Sequence, residues 1–250
     1  MAHILGMERT WILSHPEAEL DDFQTQALNT AAARLEAGEP LPYILGEWEF
    51  FGLPFTLTPQ VLIPRPETEL LIETALSWLD QHPERRMAAD IGTGSGCIAV
   101  ALAVRAKNLH ILAADVSTEA LEVAGKNVRR HNLQGQICLV QSDLLDKLEG
   151  PFDLICANLP YIPTTTLPGL VVYQREPILA LDGGERGLDL IARLLMQAPQ
   201  KLQPGGLLLL EIEASQGAEV HALAQQAFPG GDVRVVPDLA GLDRVVSILS

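Results

Sequence analysis

From Pro66 to the C-terminus, short and almost purely apolar runs alternate with helix-length amphipathic stretches, and no other property of the 250-residue chain restricts its fold as strongly. Met87 to Ile91, Ile111 to Val116, Ile137 to Val140, Phe152 to Ala157 and Leu207 to Ile212 read as strands, with two more near Val233 and Val245. Most of these runs are continuously apolar rather than alternating, so both faces of each strand must be covered. The intervening stretches supply the cover. Pro66 fits the first turn of a helix, with Glu67 and Glu69 at its positive end. An apolar helix runs through Val104. Ser117 caps a helix that carries Leu121, Ala124 and Val128 on one face. Leu188, Ile191, Leu195 and Ala198 mark another, which Pro199 ends or kinks. Pro204-Gly205-Gly206 reads as the turn into the fifth strand, and a last helix falls near Gly217 to Phe228. This pattern predicts an α/β domain: seven strands, mostly parallel, with helices on both faces.

Residues 1–40 read differently. Ser14 to Glu17 fits a capping box with Ser14 as N-cap, and Leu20, Phe23, Ala27, Ala31 and Leu35 follow at helical spacing until Gly38 stops the helix. Between 41 and 65 the period changes: Trp48 and Phe50 alternate, Gly52 and Pro54 punctuate, and Phe55 and Leu57 alternate again. A β-hairpin is expected there. The chain thus divides into a helical segment (1–40), a hairpin connector (41–65) and an α/β domain (66–250).

Composition narrows the function. Thirty-two acidic residues against 17 basic ones leave a net charge of −15, the wrong sign for a protein that grips nucleic acid through phosphates. Arg129-Arg130-His131 is the one short basic cluster and reads as a solvated helix end. Cys97, Cys138 and Cys156 sit singly in apolar stretches and read as buried, reduced thiols. The six histidines form no ligand spacing, so no metal is expected. Apolar runs are too short to span a bilayer, and no signal peptide is evident, so a soluble cytoplasmic protein is expected.

The loop after the first strand of the sheet is Asp90-Ile91-Gly92-Thr93-Gly94-Ser95-Gly96. Glycines there let backbone approach a ligand at a helix N-terminus. Cys97 stands where a dinucleotide fingerprint has its third glycine, and no Gly-Lys-Ser/Thr follows, so neither a dinucleotide nor a P-loop site is indicated. S-adenosylmethionine (SAM) fits instead: it carries a carboxylate, a sulfonium and an adenosine, and no phosphate. Asp115 ends the second strand and can accept from both ribose hydroxyls. Asp143 after the third strand can hold the adenine amino group, with Leu144 against the ring.

Asn158-Leu159-Pro160-Tyr161 follows the fourth strand, where ligands of such sheets bind. Its groups suit a planar amide or amino nitrogen. The Asn158 oxygen and the Leu159 carbonyl can each accept one N–H, leaving the nitrogen lone pair aimed at a methyl donor. Tyr161 can stack on the planar group, and Pro160 stiffens the loop. Both hydrogen bonds strengthen as the nitrogen gains positive charge, which is selective stabilisation of the transition state.

The chain resembles the bacterial N5-glutamine methyltransferases that modify the Gly-Gly-Gln motif of peptide chain release factors. Pro42-Tyr43-Ile44-Leu45-Gly46, Gly52, Leu62 to Glu69, Asp90 to Gly96, the tetrapeptide, Glu176-Pro177, Ala180-Leu181 and Gly183-Gly184 carry the resemblance. It covers nearly the whole chain and implies a Rossmann-like SAM-dependent methyltransferase fold. It implies that Gly92 to Gly96, Asp115 and Asn158 contact SAM, that Asn158 to Tyr161 hold the target glutamine, and that Arg65 to Glu69 and Glu176-Pro177 shape the same cleft. The family's usual tetrapeptide is Asn-Pro-Pro-Tyr. Leu159 keeps the carbonyl and loses some backbone restraint. The family's helical N-terminal segment is usually longer; here the resemblance begins at Ala2 to Gly6. Three rivals remain: a glutamine methyltransferase acting on a ribosomal protein, an adenine-N6 nucleic-acid methyltransferase, and a silent SAM-binding module.

Overall fold

The computed structural model describes all 250 residues. Seven strands form one sheet: β3 (Met87–Ile91), β4 (His110–Asp115), β5 (Ile137–Gln141), β6 (Phe152–Ala157), β7 (Leu202–Glu211), β8 (Asp232–Pro237) and β9 (Asp243–Leu249). Their order is β5-β4-β3-β6-β7-β9-β8. The five strands from β5 to β7 are parallel, and β9 runs antiparallel to both β7 and β8. Neighbouring residues of a strand serve opposite faces. Ala88, Leu154, Cys156, Leu207 and Leu209 join a core with α5 (Thr68–Gln81), α6 (Cys97–Arg105) and α7 (Thr118–Arg130). Ala89, Ile155, Ala157, Leu208 and Leu210 join a second core with α8 (Asp189–Gln197) and α9 (Gly217–Ala227). This two-sided burial is why the inner strands are mostly apolar on both faces.

The chain runs outward from β3 to β4 and β5, then returns to place β6 on the other side of β3. Ile91 pairs with Ala157 at the carboxyl ends of β3 and β6, so the loops starting at Gly92 and Asn158 leave the sheet side by side. That is the switch point, where open α/β sheets bind ligands.

Ahead of the sheet lie α1 (Ala2–Leu5), α2 (Arg9–Ser14), α3 (Asp22–Glu36), α4 (Leu41–Leu45) and a hairpin of β1 (Glu47–Phe50) and β2 (Leu53–Thr56). Phe51 and Gly52 both take left-handed φ (53° and 71°), as a two-residue hairpin turn requires. Phe55 is fully buried. The buried Asn127 side chain on α7 accepts from Thr56 N (2.7 Å) and donates to Thr56 O (3.0 Å) and Ser95 O (2.9 Å). One amide thereby fastens the hairpin to the glycine loop.

Four expectations need correction. Ser14 is not an N-cap: it ends α2, and its hydroxyl donates to the Thr10 and Trp11 carbonyls. The capping box lies at Asp21 and Gln24, whose side chains each accept from the other's backbone N–H. Phe23 and Leu35 do not pack into a core but stand 80% and 51% exposed. Pro204 to Gly206 do not precede β7; they form an irregularity inside it, where the pairing jumps from Phe152↔Leu202 to Leu154↔Leu207. Of the three cysteines expected to be buried only Cys156 is; Cys97 is half-buried and Cys138 is exposed on the edge strand β5.

Candidate functional site

Gly92, Gly94 and Gly96 all take left-handed φ (72°, 53° and 80°), which other residues rarely adopt. The loop they form is clamped at two carboxylates. The Thr93 hydroxyl (2.6 Å) and Ala99 N (3.2 Å) donate to Asp90 Oδ2. Gly94 N and Ser117 N, each at 2.9 Å, donate to the two oxygens of Asp115. Burial pushes the Asp90 carboxyl up to about 6, against the pull of the Thr93 and Ala99 bonds. Burial also raises Asp115, while the Ser117 and Gly94 amides favour its charge. Each Asp115 oxygen keeps a lone pair for a further donor.

Beside the loop lies a cavity of about 640 Å³. Gly92, Thr93, Gly94, Ser95, Asp115, Asp143, Leu144, Asn158, Leu159 and Pro160 all reach its wall, brought there from the ends of four strands. Leu144 is buried at a left-handed φ of 50°. Asp143 stands at the rim, paired with Arg193 at 2.7 Å. Gly96 and Tyr161 are not on the wall. Gly96 packs against α7, where a Cβ would come 3.3 Å from Ala124 Cβ. Tyr161 packs against the second core, and burial raises its phenol well above the ordinary value.

Asn158 Nδ2 donates to Thr68 Oγ1 at 3.1 Å, which turns the amide oxygen away from Thr68. The Leu159 side chain is buried over the glycine loop: a Cβ on Gly92 would lie 3.0 Å from Leu159 Cδ2. The Leu159 carbonyl accepts no hydrogen bond from the protein. The Tyr161 carbonyl accepts from Gln216 Nε2 at 2.9 Å. Gly183 and Gly187 press on the same loop; a Cβ on Gly183 would meet Pro160 O at 2.6 Å, and one on Gly187 would meet Tyr161 O at 2.2 Å.

Residues 163–180 leave the tetrapeptide and return, and Ile162 bridges Asp182 where they close. This excursion puts Pro177 and Leu179 on the cavity wall. Glu176, buried, holds it in place by accepting from Ile63 N (3.0 Å) and pairing with Arg65. Sequence reasoning gave Thr68 only a share in the cleft-shaping Arg65 to Glu69 run and left Glu211 without a role. Glu211 carried one signal: it is the single acid within the apolar run Leu207 to Ile212.

The sequence matches the family described as the PrmC N-terminal domain over residues 1–46 and the methyltransferase small domain over residues 67–168. A release factor glutamine methyltransferase from Moorella thermoacetica is 44% identical, over 96% of this chain and 85% of its own. One from Nitratidesulfovibrio vulgaris is 41% identical, over 98% of this chain and 84% of its own. The chain belongs to the release factor glutamine methyltransferase family. Among solved structures, a methyltransferase from Pyrococcus furiosus superposes with a TM-score of 0.60 at 22% identity, covering 88% of this chain and 98% of that one. At that identity the likeness speaks for the fold, a methyltransferase sheet with helices on both faces. Several of the motifs that carry the resemblance fall around one cavity: Pro64 and Thr68, Gly92 to Ser95, Asn158 to Pro160, Pro177 and Ala180 all line it. No helix in the chain is long and apolar enough to cross a membrane.

Proposed function

We propose that this chain transfers a methyl group from SAM to the side-chain amide nitrogen of the glutamine in the Gly-Gly-Gln motif of peptide chain release factors. The observation that carries the reading is the Asn158 amide. Thr68 engages its NH₂ end, so its oxygen is the end available beside the glycine loop.

The cavity suits SAM chemically. Asp115 retains acceptor capacity for a ribose diol, Leu144 offers an apolar surface for adenine, and Asp143 stands at the rim for its amino group. The acidic walls, including Asp90 beneath the loop, favour a sulfonium cation over a phosphate. When bound, SAM supplies an electrophilic methyl group. The chain's residues do the remaining work. An amide nitrogen is a poor nucleophile because its lone pair is delocalised into the carbonyl. The Asn158 oxygen and the Leu159 carbonyl each accept one N–H, which fixes the plane of the glutamine amide and directs its lone pair along the transfer axis. As positive charge grows on the nitrogen, both bonds strengthen. No side-chain base is required, because an N-methylated amide cation sheds its proton readily. In this reading residues 1–40 contribute to substrate docking, and Tyr161, packed against the second core, braces the tetrapeptide from behind instead of stacking on the glutamine.

The test is methyl transfer from labelled SAM to a release factor, with the motif glutamine intact or replaced by alanine. Label on the intact factor alone supports the reading; equal label on both ends it. Asn158→Ala should lower turnover by about 100-fold or more while SAM still binds, on the scale of losing an oriented transition-state partner. Parental turnover in that variant would remove Asn158 from the chemistry.

A further inference from the structure

Glu211 ends β7 directly beside the tetrapeptide. Ala157 pairs with Leu210 across the parallel β6–β7 ladder, so the next register positions belong to Asn158 and Glu211. Glu211 is 1% exposed, and neither carboxyl oxygen completes a hydrogen bond of good geometry. A carboxyl in such a place is costly and is not explained by packing. Burial pushes it up to about 7, and the two neighbouring side chains that favour its charge through hydrogen bonding are Thr68 and Asn158.

Thr68 links the two. It opens α5, is 2% exposed, and its oxygen already accepts from Asn158 Nδ2. Its own proton needs an acceptor, and Glu211 is the buried, unpartnered carboxyl at the register position next to Asn158. A threonine hydroxyl can either donate to or accept from an amide, and so by itself leaves the amide free to sit either way round. A carboxyl that takes the hydroxyl proton as a hydrogen bond removes that choice.

We propose that Glu211 is a positioning residue. It accepts a hydrogen bond from the Thr68 hydroxyl, which commits the Thr68 oxygen to the Asn158 NH₂ and leaves the Asn158 oxygen facing the acceptor nitrogen. The inference rests on the reading of Asn158 given above. Without Glu211 the hydroxyl turns to donate to the Asn158 oxygen, the amide flips, and its NH₂ meets the N–H of the substrate.

Steady-state methyl transfer to a release factor, with SAM affinity measured separately by calorimetry, tests this in five variants. Glu211→Gln keeps an oxygen that can accept from Thr68 and should stay within about 3-fold of the parental kcat. Glu211→Met removes the acceptor at similar volume and should lose about 10- to 100-fold in kcat, with KM and SAM affinity nearly unchanged. Thr68→Ser should behave as the first and Thr68→Val as the second. Combining Glu211→Met with Thr68→Val should cost no more than either alone, because both break one relay. Parental kcat in Glu211→Met or Thr68→Val overturns the proposal, as does a loss that appears in SAM affinity instead of kcat. Asn158→Ala separates the two readings. If it is inactive while Glu211→Met and Thr68→Val match the parent, only the positioning role fails. If it is fully active, the reading of Asn158 itself fails.

Discussion

At the scale of single residues, the tetrapeptide is held by what its neighbours lack. Gly92 leaves room for the Leu159 side chain, and Gly183 and Gly187 leave room for the Pro160 and Tyr161 backbone. Leu159 therefore gains packing that a proline would make differently, and its carbonyl stays free of internal partners. Gly183 adopts no left-handed φ, so its constraint is purely steric. Gly183→Ala should push the Pro160 carbonyl and the loop behind it outward, because carbon cannot sit 2.6 Å from that oxygen. We expect kcat to fall by about 10- to 100-fold with a modest loss of stability, since a misplacement near 1 Å is enough to spoil alignment. Steady-state kinetics beside a thermal melt would show it; unchanged kcat would mean the loop relaxes without consequence.

At the scale of elements, one ion pair decides where a whole segment lies. The excursion between Tyr161 and Asp182 contains only single 3₁₀ turns, with little core of its own. Glu176 ties it to the Ile63–Arg65 stretch of the connector, and Pro177 and Leu179 reach the cavity wall as a result. Glu176→Ala would strand the Ile63 N–H and the partly exposed Arg65. A loss of roughly 2 kcal/mol is expected, less than for a fully buried pair. Glu176→Gln keeps the Ile63 bond and should cost about half as much. Denaturant titration measures both, and the KM for the release factor should rise more than the affinity for SAM falls. Equal stability of both variants and the parent would show that the excursion is held by other contacts.

For the molecule as a whole, buried acids set a pH dependence. Asp90 rises from 3.8 to about 6 and Glu211 from 4.5 to about 7, both chiefly through burial. A raised carboxyl binds its proton more tightly when folded. Its contribution to stability is complete below the unfolded value, about pH 4, and is lost as pH climbs through 6 and 7. Glu211→Gln removes one of the two titrations. The variant should gain stability relative to the parent between about pH 5 and pH 8, by on the order of 3 kcal/mol at most. Chemical denaturation at several pH values reads this difference, and a gap that does not change with pH would refute it.

The sheet was legible because its strands are buried on both faces, which writes continuous apolar runs into the sequence, and β3 and β6 were bounded to the residue at Met87–Ile91 and Phe152–Ala157. The glycine loop, Asp115 and Asn158 were legible because strand ends of one sheet converge at a switch point by topology alone. Local signals misled where two sites competed for one rule. Ser14 and Asp21 both fit a capping box, and only the second begins a helix. Phe23 and Leu35 obeyed helical spacing without a surface to meet. Long-range contacts carry no such mark. That Thr68 meets Asn158 across 90 positions, that Glu176 reaches Ile63 across 113, and that Glu211 lies behind the tetrapeptide all depend on how separate elements pack. The sequence determined the sheet and the chemical kinds of group at its carboxyl edge, because periodicity and strand ends are local. Only the tertiary structure decided which way the Asn158 amide points, because that orientation is set by side chains far away in the chain.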